Sequence, residues 1–358
     1  MDEKVSQSNG GEVVREMRKD MDQVQKKIKT LRGSEKHQAW QEWRDLKKEL
    51  RFREKKAVLD TLKSCDVVLA TCTGADDRYL ENEKFDLVVV DEAGQSLEAQ
   101  CWIPILKAKK LVLAGDHLQL PPTIHSDKAA KRGLEKTLFE RVIKKLPHVS
   151  NLLVTQYRMN SKIMEWSSSN FYENKIEPHI SVKNHLLTDL VDIKKNYITE
   201  NALVFIDTVG CNLTELEDSE GSKSNEGEAQ VVLEYISKLL SFGMGEGKIA
   251  VISPYFAQVR LIKKLLRKKK LDFIEVNTVD GFQGREKEII IISMVRSNDK
   301  REVGFLKEDR RMNVAITRAK RHCCVVGDSE TVGCYPFLQK LVQYFSDHAE
   351  YLSAAQFL

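Results

Sequence analysis

The chain has 358 residues, of which 42% are hydrophobic and 31% charged, a balance that excludes both a disordered polyelectrolyte and a chain made of membrane spans. Its 57 basic residues nearly cancel 53 acidic ones, leaving a net charge of +4; that is too even for a histone-like surface, although nucleic acid is permitted. The longest apolar runs, such as residues 289–292, fall far short of the ~20 residues that cross a bilayer.

The opening Met1-Asp2-Glu3-Lys4 holds no signal-peptide core, and seven cysteines without a Cys-x-x-Cys pair argue against a disulfide framework or a structural zinc site. A reducing compartment, cytoplasmic and/or nuclear, is the expectation. At roughly 150 residues per domain, the length predicts about two globular units.

Residues 13–62 are rich in Lys, Glu, Arg, Gln and Leu and repeat apolar side chains at helical spacing, from Met17, Met21, Val24, Ile28 and Leu31 to Leu46, Leu50, Val58 and Leu62. The pattern predicts two long amphipathic helices broken near Gly33-Ser34, their charges forming a solvated face. After Ser64 come short β-rich runs at residues 66–70, 86–90 and 110–114. A further strand is expected within 150–158, and a second series follows at 202–206, 249–253, 289–294 and 323–326. Nearly continuous apolar strands are what a parallel sheet covered on both faces requires, so the fold class is α/β with two successive sheets. Residues 213–228, rich in Glu, Ser, Gly and Asn, read as an exposed loop.

Five strings carry chemistry. In the first, the strand 88–90 ends in Asp91-Glu92-Ala93-Gly94-Gln95, which sets two carboxylates at the carboxyl edge of a sheet; a strand end capping a helix is the plain alternative. Next, Gly115-Asp116-His117-Leu118-Gln119-Leu120-Pro121-Pro122 leaves the sheet abruptly and stays extended, with His117 read as a structural hydrogen-bonder. The third, Gln156-Tyr157-Arg158-Met159, joins an aromatic face to a guanidinium suited to phosphate. In the fourth, residues 276–288, Gly281 and Gly284 permit a tight turn that can approach phosphates, and the acids that follow, Glu286 and Glu288, can accept from ribose hydroxyls. The last, residues 312–321, reads as a helix with Arg318 and Arg321 on one face.

Taken in order, these strings resemble the motif series of the superfamily 1 helicases of the nonsense-decay group. The resemblance implies two RecA-like domains that clamp ATP and translocate 5′ to 3′ on single-stranded DNA or RNA. Residues 1–63 would be a helical stalk or insertion, 64–149 the C-terminal part of a first RecA-like domain, and 150–358 a second RecA-like domain. It further implies that Asp91 coordinates Mg²⁺, Glu92 is the catalytic base, Gln119 and Arg158 contact the γ-phosphate, and Tyr157 packs on adenine. By the same resemblance Glu286 binds ribose, Gly284 gives a backbone contact, Arg318 is the arginine finger, and Thr71, Thr73, Gly74 and Thr278 touch the nucleic-acid backbone.

The family's Gly-x-x-x-x-Gly-Lys-Ser/Thr loop is absent from these 358 residues; Gly247-Lys248 is followed by Ile249 and reads as a turn before a strand. Without the loop the phosphates lose their cradle, so the chain alone is expected to hydrolyse ATP weakly, and the first sheet to keep an exposed apolar face. The alternative function is a non-catalytic nucleic-acid-binding or regulatory module.

Overall fold

The computed structural model describes residues 9–358; the opening tetrapeptide discussed above lies outside them. Two compact units divide the chain, Met1–Ala114 and Gly115–Leu358.

In the first unit, α1 (Asn9–Thr30) and α2 (Gly33–Lys63) pair as an antiparallel hairpin, with Gly33 at φ +60° in the break where the pattern places it. Val14 clusters with Leu50 and Ala57, while Val24 and Ile28 cluster with Ala39, so the apolar stripes of the two helices face each other. Residues 66–70 form no strand: Val67 is 74% and Leu69 92% exposed. An apolar run becomes a strand only where another backbone offers it a ladder. Strand β1 (Phe85–Val90) runs parallel to β2 (Ala108–Leu113) across a crossover containing α3 (Glu98–Ile105), with Val88 opposite Leu111 and Val90 opposite Leu113. One face of this two-stranded sheet is bare, as expected, with Leu87, Val89 and Val112 all exposed.

In the second unit only Thr155–Gln156 (β3) of the strand expected within 150–158 pairs, with Glu177–Pro178 (β4). Proline has no N–H to give and confines such a pair to a fragment. The main sheet contains β5 (Leu203–Asp207), β8 (Ile249–Ile252), β9 (Glu275–Asn277), β10 (Lys287–Ser293), β11 (Ala319–Gly327) and β12 (Glu350–Ser353). These strands are parallel throughout, in the order β12-β5-β11-β10-β8-β9.

The four consecutive isoleucines of β10 show why. Ile290 and Ile292 enter one core with Phe205, Ala250, Ile252 and Val325; Ile289 and Ile291 enter the opposite core with Val204, Val251, Cys324 and Val326. Helices α4 (Ser161–Phe171), α7 (Asp309–Ile316) and α8 (Pro336–His348) cover the first face, while α5 (Glu226–Ser241) and α6 (Phe256–Lys268) cover the second. Each fully buried isoleucine contributes about 1.5–3 kcal/mol.

The segment 213–228 is not an exposed loop. It holds an antiparallel pair, β6 (Leu216–Glu217) with β7 (Lys223–Ser224), and the start of α5, where Asn225 and Glu228 are wholly buried. Its polar residues are spent on internal contacts: the Asn225 side chain caps α5 by accepting from the Glu228 N–H, and Arg296 donates to Glu215 at 2.8 Å. Gly247, at φ +76°, turns the chain into β8 as expected. Among the described residues no helix is long and apolar enough to cross a membrane.

Candidate functional site

The turn after β3 is built by one side chain. Gln156 accepts from the N–H groups of Arg158 at 2.8 Å and Met159 at 2.7 Å, and donates to the Met159 carbonyl at 2.8 Å. The turn projects Tyr157 and Arg158 in opposite roles. Tyr157 stays two-thirds exposed and stacks on His179, ring centroids 4.4 Å apart. Arg158 reaches inward, donating through Nε to Glu286 Oε2 at 2.5 Å and through Nη1 to the Thr317 carbonyl at 3.2 Å.

Glu286, at the amino end of β10, gives its other oxygen to Lys320 Nζ at 2.9 Å. Burial pushes this carboxyl up, but Lys320 and Arg158 outweigh it and hold the group ionised below its ordinary range. Tyr157, Arg158, Glu286, Lys320, Glu288 and Arg321 line a cleft of about 610 Å³, a volume suited to a nucleoside phosphate. Three cations and two carboxylates thus face one cavity that an aromatic ring borders.

Arg318 and Arg321 do not share a helix face. Helix α7 ends at Ile316, Thr317 Oγ1 turns back to donate to the Asn313 carbonyl at 2.8 Å, and β11 begins at Ala319. Arg318 is only 3% exposed, its Nε on the Val314 carbonyl and its Nη2 on Thr317 Oγ1, each at 3.1 Å. Arg321 binds Glu288 at 2.8 Å and Asp189 at 3.1 Å. The fourth string closes as a short helical turn over Asp280–Phe282, and Gly284 at φ +74° redirects the chain toward Glu286.

Gln119 donates to Asp116 Oδ2 at 3.0 Å, an oxygen that Tyr172 OH also reaches at 2.5 Å. Asn313 then donates to Tyr172 OH and to the Leu118 carbonyl, and accepts from Ser167 Oγ. Burial and the Asp116 carboxylate push the Tyr172 phenol well up, so it remains a donor at physiological pH. This buried relay, which sequence reasoning missed, fixes the loop that carries Gln119. An asparagine inside the apolar side of α7 was its one visible signal. The His117 side chain makes no hydrogen bond among the described residues; its ring lies against Phe139, centroids 6.2 Å apart. Lys320 and His179 were also missed, the first because its backbone alternates as a strand rather than a helix, whereas Glu288 lines the cleft as one of the acids that follow the two glycines of the fourth string.

In the first unit, Asp91 and Glu92 follow β1. Asp91 Oδ1 accepts from the Glu92 N–H at 3.0 Å, Glu92 takes the left-handed conformation at φ +52°, and Gln95 donates to Glu92 Oε2 at 2.6 Å. Neither carboxylate has a basic counter-ion among the described residues, so the pair keeps the free hard-oxygen donors that a Mg²⁺ shell uses.

Both units contain the same turn. Thr71 Oγ1 accepts from the Gly74 N–H at 2.9 Å, and Thr278 Oγ1 from the Gly281 N–H at 3.3 Å. Thr73 stands beside the first turn, its hydroxyl 3.4 Å from that of Thr71. A side chain at Gly74 would meet Thr71 Oγ1 at 2.8 Å, which explains the glycine there.

A family model described as AAA domain matches residues 134–330, and another with the same description matches residues 2–127. The chain belongs to this family, in the superfamily 1 helicase branch of the nonsense-decay group. It is 47% identical over 365 residues to "DNA-binding protein SMUBP-2" of Rattus norvegicus, a match covering 100% of this chain and 37% of the relative. An "Uncharacterized ATP-dependent helicase" of Methanocaldococcus jannaschii is 45% identical over 279 residues, 76% of this chain and 40% of that protein. The "Regulator of nonsense transcripts 1 homolog" of Neurospora crassa is 37% identical over 308 residues, 84% of this chain and 28% of the relative. The chain therefore spans well under half of the length of each of these relatives.

Proposed function

We propose that this chain carries the nucleotide-sensing and nucleic-acid-gripping residues of an ATP-dependent helicase of the immunoglobulin mu-binding type, moving 5′ to 3′ on single-stranded DNA or RNA. The observation that carries the proposal is the convergence of Tyr157, Arg158 and Glu286, from two distant stretches of sequence, on one charged cleft. In this reading Tyr157 stacks adenine, Glu286 accepts from the ribose, Gly284 contributes its backbone, and Arg158 leaves Glu286 for the γ-phosphate. Lys320 remains on Glu286 and keeps its charge balanced. Gln119 senses the same phosphate from its braced loop, and Arg318 neutralises charge that builds during transfer.

Asp91 and Glu92 are assigned to Mg²⁺ and to the attacking water. Bound there, Mg²⁺ would neutralise phosphate oxygens. Glu92 would hold and accept the proton of the water, with Gln95 fixing the carboxylate that does so. Thr71, Thr73, Gly74 and Thr278 are assigned to the phosphates of the nucleic acid, since the Thr71 and Thr278 hydroxyls accept from a glycine N–H within their own turns and keep their O–H to donate, beside glycines that add no side-chain bulk. A relative described as ATP-dependent and another as DNA-binding support this assignment. RecA-like boundaries at 64–149 and 150–358, with a stalk over 1–63, and a cytoplasmic or nuclear location belong to the same proposal.

Hydrolysis by this chain alone is expected to be weak, because an arginine finger contributes its roughly 10³–10⁵-fold only to phosphates already positioned. Steady-state ATPase measurement with single-stranded DNA is the test, and turnover comparable to a complete helicase and abolished by Glu92→Gln would overturn the weakness. Binding of a fluorescent ATP analogue should drop about tenfold or more in Arg158→Ala, given the strength of charged phosphate contacts. Nucleic-acid binding that persists while Arg158→Ala and Tyr157→Ala leave nucleotide affinity unchanged would favour the non-catalytic binding module.

A further inference from the structure

Helix α6 presents two unlike faces. Val259, Ile262 and Leu266 are buried against the sheet, while the outer face carries Phe256, Arg260, Lys263, Lys264, Arg267 and Lys268, all exposed. Arg260 is neutralised by Asp218 at 2.6 Å and lies over the Phe256 ring at 5.2 Å. The other four cations have no acidic partner among the described residues, unlike the neighbouring Lys269, which binds Glu234 at 2.6 Å.

Four uncompensated charges crowd one helix face. Lys263 with Arg267, and Lys264 with Lys268, are like charges at i,i+4 spacing, an arrangement that destabilises a helix. The helix dipole favours cations in the last turn alone, and Lys263 and Lys264 precede it. A polyanion laid along the face would reverse the repulsion.

The helix begins where the nucleic-acid turn stands. Strands β8 and β9 pair side by side, with Ile252 opposite Asn277 and the Ser253 N–H bonded to the Asn277 carbonyl. Thr278 and the start of α6 therefore leave the same carboxyl edge of the sheet. Phe256, 56% exposed, is the first side chain of the helix to meet solvent there. From Phe256 to Lys268 this face runs for about 18 Å along the helix, long enough for several phosphates of one extended strand, with the four cations in its second half.

We infer that the outer face of α6 is a nucleic-acid ridge, on which a base stacks at Phe256 and the phosphate backbone follows Lys263, Lys264, Arg267 and Lys268 away from the Thr278 turn. The inference rests on the reading of that turn as a nucleic-acid contact, and extends the track to residues no family motif contains. Recognition is of backbone charge and a stacked base, so it is independent of sequence.

The test measures binding of the full chain to a fluorescein-labelled 25-residue oligothymidylate by anisotropy across a salt series, with folding monitored by circular dichroism. Replacing Lys263, Lys264, Arg267 and Lys268 by Gln should weaken binding at low salt by tenfold or more. The same change should make the slope of log affinity against log salt shallower by up to about 3, at roughly 0.7 per single-strand phosphate. Returning the four positions as Arg should restore both, and Phe256→Ala should lower affinity without changing the slope. An unchanged slope and affinity in the folded Gln variant would overturn the ridge, as would retained oligothymidylate binding with lost binding to polyglutamate, which assigns the face to an acidic protein. Thr278→Val separates the two readings: if it leaves affinity intact while the Gln variant loses it, the turn fails and the ridge stands. No binding by the unaltered chain at any salt overturns both.

Discussion

The two parallel sheets of this chain are made from similar residues and meet opposite fates. In the second unit β10 lies between β8 and β11, and every isoleucine on it is closed off by helices on one side or the other. In the first unit β1 and β2 pair only with each other among the described residues, and Val89, β-branched and apolar like the isoleucines of β10, is 58% exposed. The contrast teaches that an apolar strand contributes stability in proportion to what covers it, and sequence alone does not say what that is.

The largest expected effect lies in the covered sheet. Ile291→Ala should cost about 2–5 kcal/mol in urea unfolding, whereas Val89→Ala should cost under about 1 kcal/mol, because little apolar area is lost there. Equal losses would break the comparison.

A second contrast concerns a buried acid. Glu228 is fully enclosed beside the carboxyl end of β10, where burial raises its pKa to about 8 despite bonds from Ser293 Oγ and the Val295 N–H. A folded-state pKa above the unfolded value means the fold binds the proton more tightly, so stability declines as pH climbs from the ordinary carboxyl range through about 8. Melting temperature followed from pH 5 to pH 9 should fall in the native protein and fall less in Glu228→Gln; parallel curves would remove Glu228 as the cause.

The bare face of the first sheet gives a smaller effect of opposite sign. Leu87→Thr with Val89→Thr should raise solubility, measured as the concentration at which light scattering begins, while leaving urea unfolding nearly unchanged. Smallest of all, Arg18→Ala breaks a 2.7 Å ion pair with Glu54 on the helical hairpin and should shift stability by under about 1 kcal/mol, Arg18 being exposed and Glu54 half-buried.

Legibility followed the same physics. The helical hairpin and four strands of the second sheet, β5, β8, β10 and β11, could be read directly, since burial leaves its pattern in sequence, whereas the short edge strands β9 and β12 carry no continuous apolar run and were missed. Residues 66–70 could not, because their composition satisfies a strand and only a neighbouring backbone would have decided it. The region around Arg318 was misread for a local reason: α7 ends at Ile316 and β11 begins at Ala319, so Arg318 lies in a two-residue junction and Arg321 on a strand, a boundary that helical spacing does not register. The residues of the cleft were legible as motif members, but the Arg158–Glu286–Lys320 chain joins positions 128 and 34 residues apart, and a carboxylate held between two cations is a property of space.

The seating of Arg318 has one further consequence. With its Nε on the Val314 carbonyl and its Nη2 on Thr317, the guanidinium cannot swing independently of the turn that ends α7. In the arginine-finger role proposed above, the aim of the guanidinium would therefore be set by this turn, through contacts to residues one and four positions away in the chain.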